Sequence, residues 1–316
     1  MGRFEEALDA GRRALEIGKA IPSDQYLSFK AGFAICLAHS LMGDLRSAKA
    51  DGQALLDYGW EHSNHRGLVL GYFALAIASF QRGDMPASID YGEKCRDAAR
   101  DPLFALFYPH MVGSVYVMTG RPEEAEKALA TVITFRDKFD EGMIAGWDYL
   151  FLAMARIMRG QMGEGLNAIE ALRDEFLDNG NTLWYILAEQ LLGNVYLKMV
   201  EGGGPLSLRT VVKNLPFLVT NVPFADGKAQ KHLEEAIRVS REIGSNNVLG
   251  QTYLSLGLLH KAKKRKDKAI EYLSEAMRLL GECGADVPMR EAEEALKSLG
   301  MLPEGFDDHE MSQMPR

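Results

Sequence analysis

The amino-acid sequence predicts an all-α superhelix built from helical hairpins that repeat about every 40 residues. Small residues recur at nearly constant spacing, each a few positions after a turn that is usually marked by glycine. Apolar or small residues follow each of them at helical spacing. A second small residue precedes most of them by about one helix length, so each unit holds two helices. Periods of this length are typical of helical solenoids.

The first set of small residues, here called anchors, defines the units. Successive anchors lie 41, 40, 37, 40, 64 and 40 residues apart, and they are Ala7, Ala48, Ser88, Ala125, Gly165, Ala229 and Ala269. Gly120 shows how a turn leads to an anchor, since glycine closes one helix with positive φ and Pro122 suits the first turn of the next. We call the helix before each turn A and the helix after it B. In the last unit the turn position is Lys264.

The predicted helices follow from this phase and form one solenoid domain over residues 1–300. A B-type half-repeat over 3–20 comes first, and the A/B pairs are 24–42/44–58, 63–82/85–99, 102–119/122–139, 142–159/161–178, 181–199/227–243 and 247–263/266–281. A helix over 288–299 is predicted to cap the array, because a terminal repeat needs its open face covered. The polar tail over 303–316 is predicted to be disordered.

The first predicted helix has no A partner. Ala7, Leu8 and Leu15 would then face no helix of their own unit, although a single repeat cannot bury its own face. We therefore expect the chain to continue N-terminally into another domain that docks on residues 3–20.

Four segments resemble the tetratricopeptide (TPR) repeat. Residues 192–196 (Leu-Gly-Asn-Val-Tyr) and 256–260 (Leu-Gly-Leu-Leu-His) look like its helix A, and residues 229–236 and 269–276, each with Ala, Leu and Ala at helical spacing, look like its helix B. The resemblance covers roughly residues 2–283. It implies a right-handed superhelix (α-solenoid) whose A helices line the concave side and bind a protein or peptide. The unit is longer than the family's repeat of about 34 residues.

The step of 64 residues contains an insertion at about 200–226. It begins with the breaker 202–205 (Gly-Gly-Gly-Pro) and continues with a segment too apolar for a solvated loop. We expect it either to fold back onto the convex surface of the B helices or to form a lid or a contact for another domain. Its predicted contact residues are Leu215, Phe217, Leu218 and Phe224.

The insertion and the units after it resemble a narrower family. Residues 214–218 (Asn-Leu-Pro-Phe-Leu), 229–244 and 250–259 look like the C-terminal TPR regions of bacterial class III adenylate/guanylate cyclase–ATPase multidomain proteins. This resemblance covers about residues 200–300 and implies a regulatory arm of a cytoplasmic signalling protein. The chain contains no cyclase or ATPase motif, so neither activity is implied for it.

The inner face of the A helices is the predicted partner-binding surface. It is apolar and aromatic in the central units and more polar from the fifth A helix onward. The candidate residues are Phe33, Phe73, Phe80, Phe107, His110, Trp147, Met154, Gln190 and Asn194. Such a groove suits an amphipathic helix or an apolar ligand. The alternative is that long helices close the superhelix and this face is core.

Composition and motifs argue against several other functions. The net charge of −8, from 36 basic and 44 acidic residues, argues against nucleic acid. No apolar run is long enough to span a bilayer, so no membrane partner is expected. His62 and His65 lack further ligands at metal spacing, and the basic run 261–268 is interpreted as a solvated turn. The cysteines, which are odd in number and far apart, indicate reduced thiols in a cytoplasmic protein; they are Cys36, Cys95 and Cys283.

We therefore expect a non-catalytic interaction or regulatory module without a cofactor or a metal. Its partner would be a protein, a peptide or a neighbouring domain of the same chain. The alternative is a small-ligand sensor, similar to the inducer-binding repeat domain of the maltose-type transcription activators.

Overall fold

The computed structural model describes residues 3–21, 25–139, 145–202 and 214–301. Within these ranges the chain is helical, without a β-strand, and each helix packs against the next. The first helix, α1 (Phe4–Ala20), is of B type. The all-α solenoid predicted from the repeat is confirmed.

Six A/B pairs follow α1, and we number them as units 1 to 6. Units 1 to 4 are α2 (Gln25–Met42) with α3 (Leu45–Glu61), α4 (His65–Gln81) with α5 (Met85–Ala98), α6 (Phe107–Met118) with α7 (Pro122–Phe139), and α8 (Ala145–Met158) with α9 (Met162–Asp178). Unit 5 is α10 (Thr182–Glu201), the short α11 (Leu215–Asn221) and α12 (Ala225–Ile243). Unit 6 is α13 (Asn246–Ala262) with α14 (Lys266–Cys283), and α15 (Asp286–Ser298) caps it.

The helices form two layers. Each A helix contacts the A helix of the next unit as well as its own B helix, so α2, α4, α6, α8, α10 and α13 make a continuous inner layer. The B helices lie outside it, and most of their charged residues are exposed. The inner layer therefore positions the candidate site.

The two helices of a unit approach closely because a small residue on A meets a large one on B. A Cβ atom on Gly193 would lie 2.6 Å from the Leu233 Cγ atom, and one on Gly257 would lie 2.7 Å from the Leu273 Cγ atom. Gly113 and Leu129 repeat the arrangement in unit 3. The A–B turns also follow the predicted pattern, because Gly43, Gly83, Gly120, Gly160 and Lys264 all have positive φ.

Some predicted boundaries need correction. The A helix of unit 3 was predicted from residue 102, but α6 begins at Phe107 after a 3-10 turn over Phe104–Leu106. Pro109 explains the late start, since it has no N–H and its ring clashes with a helical carbonyl four residues before it. The cap begins at Asp286 rather than at residue 288. The predicted disordered tail lies outside the described residues.

The superhelix returns onto its own beginning. The Ser245 hydroxyl donates a hydrogen bond to the Leu41 carbonyl at 2.8 Å, and the Val287 N–H donates to the Arg82 carbonyl at 3.2 Å. Arg82 also forms an ion pair with Asp286. The A–B turns of units 1 and 2 therefore lie against the starts of α13 and α15.

The described part of the insertion lies along the edge of the superhelix. The Asn214 amide donates to the Gly160 carbonyl at 2.8 Å, and a Cβ atom on Gly163 would lie 3.7 Å from the Phe217 ring. Residues 214–224 thus cover the turn between α8 and α9. The contact at Gly163 lies on the B helix α9, in line with packing on the B helices; residues 203–213 lie outside the described residues.

Candidate functional site

A line of aromatic side chains runs across the inner layer. The ring centroids of Phe33 and Phe73 are 5.9 Å apart, and those of Phe73 and Phe107 are 4.6 Å apart. Trp147 continues the line, 6.1 Å from Trp184. Edge-to-face and tilted pairs at these distances stabilise one another. The line spans the A helices of units 1 to 5.

The structure divides the predicted partner-binding residues into two groups. Four are buried and belong to the core, namely Phe33, Phe73, His110 and Gln190. Five are half-buried, namely Phe80, Phe107, Trp147, Met154 and Asn194. The half-buried group borders the inside of the superhelix, so the inner face is neither an open groove along its whole length nor entirely core.

A hydrogen-bonded cluster fixes the centre of this face. The His110 Nδ1 atom lies 2.7 Å from the Asp148 Oδ1 atom, and the Asp148 carboxylate has no solvent-exposed surface. The Trp147 indole N–H donates to the Ser114 hydroxyl, which donates to the His110 carbonyl. Because buried polar groups are costly unless they are hydrogen-bonded, this cluster holds the Trp147 ring in one orientation.

The inner face becomes polar in units 5 and 6. The Gln190 amide donates to the Thr252 hydroxyl at 3.2 Å, which links α10 to α13. The Asn194 Oδ1 atom, one helical turn later, is buried without a hydrogen-bond partner among the described residues. A buried acceptor of this kind is commonly satisfied by an ordered water.

A second buried pair, Glu189 and His232, connects α10 to α12 within unit 5. The His232 Nδ1 atom lies 2.6 Å from the Glu189 Oε2 atom, and Arg173 reaches the same carboxylate at 3.8 Å. The carboxylate is therefore compensated by two cationic or hydrogen-bonding neighbours, as a buried carboxylate requires. Because His232 and Arg173 both contact the Glu189 carboxylate, we assign this residue a structural role.

The other titratable residues are distributed over the helices. Among the described residues, no group of three or more His, Cys, Asp or Glu side chains is placed to hold a metal ion. Burial raises the pKa of the Cys36 and Cys95 thiols to about 12, and that of Cys283 to about 11. All three cysteines are free and buried.

The histidines near the ends of α2 and α13, His39 and His260, differ in their surroundings. The His39 Nδ1 atom lies 2.6 Å from the Asp51 Oδ2 atom. His260 is 1% exposed and stacks on Tyr272, and neither of its ring nitrogens has a hydrogen-bond partner among the described residues. Burial lowers the pKa of His260, and the charges of Arg265 and Lys268 lower it further.

The insertion residues also divide into two groups. Phe217 and Leu218 are half-buried and pack against the large core cluster of units 4 to 6. Leu215 and Phe224 are exposed. The sequence identified an apolar insertion but gave no sign of which of its residues face outward.

Comparison with known proteins supports the repeat architecture. The family model Tetratricopeptide repeat matches residues 250–279, which lie in unit 6. The crystal structure of a Rap protein complexed with Competence and Sporulation Factor matches with a TM-score of 0.62 at 13% sequence identity, over 94% of this chain and 83% of that chain. No curated protein matches significantly in sequence. The chain has a TPR-like repeat fold.

Within this TPR-like fold, neither Asp148 nor the contacts that close the superhelix were predicted from the sequence. Asp148 lies on α8 and its partner His110 lies on α6, so the pair joins two units. A weak signal was available, since an aspartate beside Trp147 on an otherwise apolar A helix requires a buried partner.

Proposed function

We propose that the protein is a non-catalytic TPR-like interaction module whose inner face binds a protein or peptide segment. The observation that carries this proposal is the row of half-buried aromatic and apolar side chains along the A helices, with Phe80, Trp147 and Met154 at its centre. Aromatic residues and methionine supply large contact areas and are enriched at protein interfaces.

The arrangement of the face indicates the shape of the partner. Apolar contacts lie in units 1 to 4, and the unpaired Asn194 acceptor lies in unit 5. An amphipathic helix could place its apolar residues against Phe80 and Met154 and its polar residues beside the half-buried Asn194. The Rap protein similar in fold was crystallised with Competence and Sporulation Factor, which supports the choice of a binding function.

The proposed context is the regulatory arm of a bacterial cytoplasmic signalling protein. The resemblance of residues 200–300 to the C-terminal TPR regions of cyclase–ATPase proteins supports this context. A neighbouring domain is therefore a second candidate partner.

The competing proposal is a sensor of a small apolar ligand. The half-buried aromatic row would also suit such a ligand. A groove of about 770 Å³ lies between α12 and α14, and another of about 310 Å³ lies beside Arg82 and Asp286. The likeness in fold to a Rap protein complexed with Competence and Sporulation Factor favours the peptide proposal over the sensor.

Panning of a random peptide library on the intact chain tests this function. Peptides that bind should protect the amides of α4, α6, α8 and α10 from hydrogen exchange. Phe80→Ala should weaken their binding about tenfold or more, which is typical of a central aromatic contact. Trp60→Ala is the matched control, because Trp60 is 64% exposed at the end of a B helix and should leave binding unchanged.

Protection confined to B helices, or equal loss in both variants, would contradict the inner-face assignment. A thermal shift with apolar metabolites, together with no selected peptide, would favour the sensor instead.

A further inference from the structure

The short helix α11 exposes an apolar face to solvent. Leu215 and Val219 lie at i and i+4 of α11, Val222 begins the 3-10 turn Val222–Phe224 that follows it, and the three are 52%, 66% and 45% exposed. Phe224 follows them and is 65% exposed. Apolar residues clustered on the surface in this way mark interaction sites more often than scattered ones do.

The opposite side of α11 is docked on the superhelix, so this apolar face points toward solvent. On the other side of α11, Phe217 packs against the core, and Asn214 is bonded to the Gly160 carbonyl. The Lys228 ammonium group donates to the Asn221 side chain at 2.9 Å and to the Tyr196 hydroxyl at 3.3 Å. These contacts fix both ends of α11, so its exposed residues keep a defined direction.

A basic turn lies directly beside this apolar face. Asp226, two residues after Phe224, pairs with Arg265 at 2.5 Å and with Lys263 at 3.9 Å. The run over 261–268 holds six basic residues and one acidic residue. Lys264, Lys266 and Lys268 are exposed and form no ion pair with a described carboxylate. The apolar face thus has a positively charged border.

Exposed apolar residues and unpaired lysines are each common on protein surfaces, but here the two lie side by side. Unpaired lysines are usual at a solvated turn, but here the Asp226–Arg265 pair joins that turn to a docked segment with four exposed apolar side chains. Surface binding to membranes uses this pair of contributions, since apolar side chains enter the headgroup boundary while lysines attract anionic lipids. The whole chain carries a net charge of −8 although this run is basic, so an anionic surface would attract this edge selectively.

We propose that the edge formed by α11 and the basic turn binds the surface of a bilayer that contains anionic phospholipid. A bilayer receives projecting side chains without the matched cavity that a protein partner would need. Lysines on flexible stems suit mobile headgroups, whereas Arg265, which would suit bidentate protein recognition, is engaged by Asp226. This binding site is independent of the inner face.

The proposal concerns surface contact and differs from membrane insertion. No described helix is both long and apolar enough to cross a bilayer. The expectation of no membrane partner came from the lack of a spanning segment, and it does not apply to a helix that lies on the surface.

Co-sedimentation of the full chain with vesicles tests the proposal. Binding is expected to vesicles of phosphatidylcholine with phosphatidylserine, to weaken as salt is added, and to be absent with phosphatidylcholine alone. Val219→Asp with Phe224→Asp should reduce binding about tenfold or more by removing apolar contact. Lys264→Gln with Lys266→Gln should reduce it about fivefold for each lysine.

Trp60→Asp is the control, because it places an acidic residue at an exposed apolar position on another edge and should leave vesicle binding unchanged. Circular dichroism of each variant checks that the fold is retained. No binding to anionic vesicles, equal binding to neutral ones, or an equal loss with Trp60→Asp would overturn the proposal. Release by inorganic phosphate at constant ionic strength would also overturn it, because it would indicate a site for a free anion.

Discussion

At the scale of single residues, each A–B turn depends on one backbone position with positive φ. Gly120 adopts φ of 75°, and a Cβ atom there would meet nothing within 4 Å. Lys264 occupies the equivalent place in unit 6 with φ of 57°. A side chain in this region costs about 1–2 kcal/mol through its own backbone. The cost at Gly120 can therefore be measured without interference from neighbours.

We predict that Gly120→Ala lowers the free energy of unfolding by about 1 kcal/mol. The opposite change in the equivalent turn, Lys264→Gly, should raise it by a similar amount, about 1 kcal/mol, since glycine adopts positive φ freely. Urea denaturation of both variants checks the pair. A neutral effect of Gly120→Ala would show that the turn does not require glycine's conformational freedom.

The buried His260 makes the stability of the protein depend on pH. Burial lowers its folded-state pKa, so the unfolded chain takes up the proton first as pH falls through about 6.5. The folded state then loses stability on the acidic side, and the contribution of a neutral His260 is fully present only above that pH. Both ring nitrogens also lack partners among the described residues.

We predict that His260→Phe stabilises the protein by about 1 kcal/mol at pH 7.5, because it removes two buried unpaired nitrogens and keeps the stacking on Tyr272. The advantage over the wild type should grow between pH 7 and pH 5, where only the wild type must protonate a buried imidazole. Urea denaturation across this pH range measures both effects. An advantage that stays constant with pH would contradict the role assigned to His260.

At the scale of elements, a unit is held together by a small residue on helix A under a large one on helix B. Gly193 and Leu233 form this contact in unit 5, and the approach is too close for an added methyl group. Gly227, on α12 of the same unit, is exposed and would meet nothing within 4 Å. The two glycines give a matched comparison within one hairpin.

We predict that Gly193→Ala destabilises the protein by about 1–3 kcal/mol, because the new Cβ atom would overlap Leu233. Gly227→Ala should instead stabilise it by about 0.5–1 kcal/mol through the lower conformational entropy of the unfolded chain. Thermal and urea denaturation of both variants test the comparison. Destabilisation by both would mean that helix glycines matter here for reasons other than the contact between A and B.

The elements were largely predictable from sequence, because each hairpin repeats the same local pattern. The anchors, the glycine turns and the small positions on helix A placed the helices of all six units. The start of α6 was missed because Pro109 acts on the backbone before it. His110 was identified as an inner-face residue, but its pairing with Asp148 was not, because the pair depends on how unit 3 packs against unit 4.

At the scale of the whole molecule, the superhelix closes on its own beginning. Leu41 and Gln81, two residues before the turn glycines of units 1 and 2, are half-buried beneath the C-terminal helices. Their equivalents in units 3 and 4, Met118 and Met158, are 58% and 39% exposed. No pattern within a unit predicts this difference, because it results from the rotation accumulated over five units.

The ion pair between Arg82 and Asp286 provides a test of this closure. It joins residues 204 positions apart, and both side chains are about a third to a half exposed. Its contribution is therefore about 0.5 kcal/mol. Asp286 is also the first residue of α15, where an acidic side chain favours the helix start. A single substitution would mix the two effects, and a double-mutant cycle separates them.

We predict that Asp286→Arg and Arg82→Asp each lower the free energy of unfolding, and that the double variant recovers about 0.5 kcal/mol relative to their sum. Urea denaturation of the four proteins gives this coupling energy. Small-angle X-ray scattering should show a larger radius of gyration for Asp286→Arg, because two like charges then face each other where the turns meet, and a return toward the wild-type value in the double variant. A coupling energy of zero with an unchanged radius would mean that the backbone contacts of Leu41 and Arg82 close the superhelix without help from the ion pair.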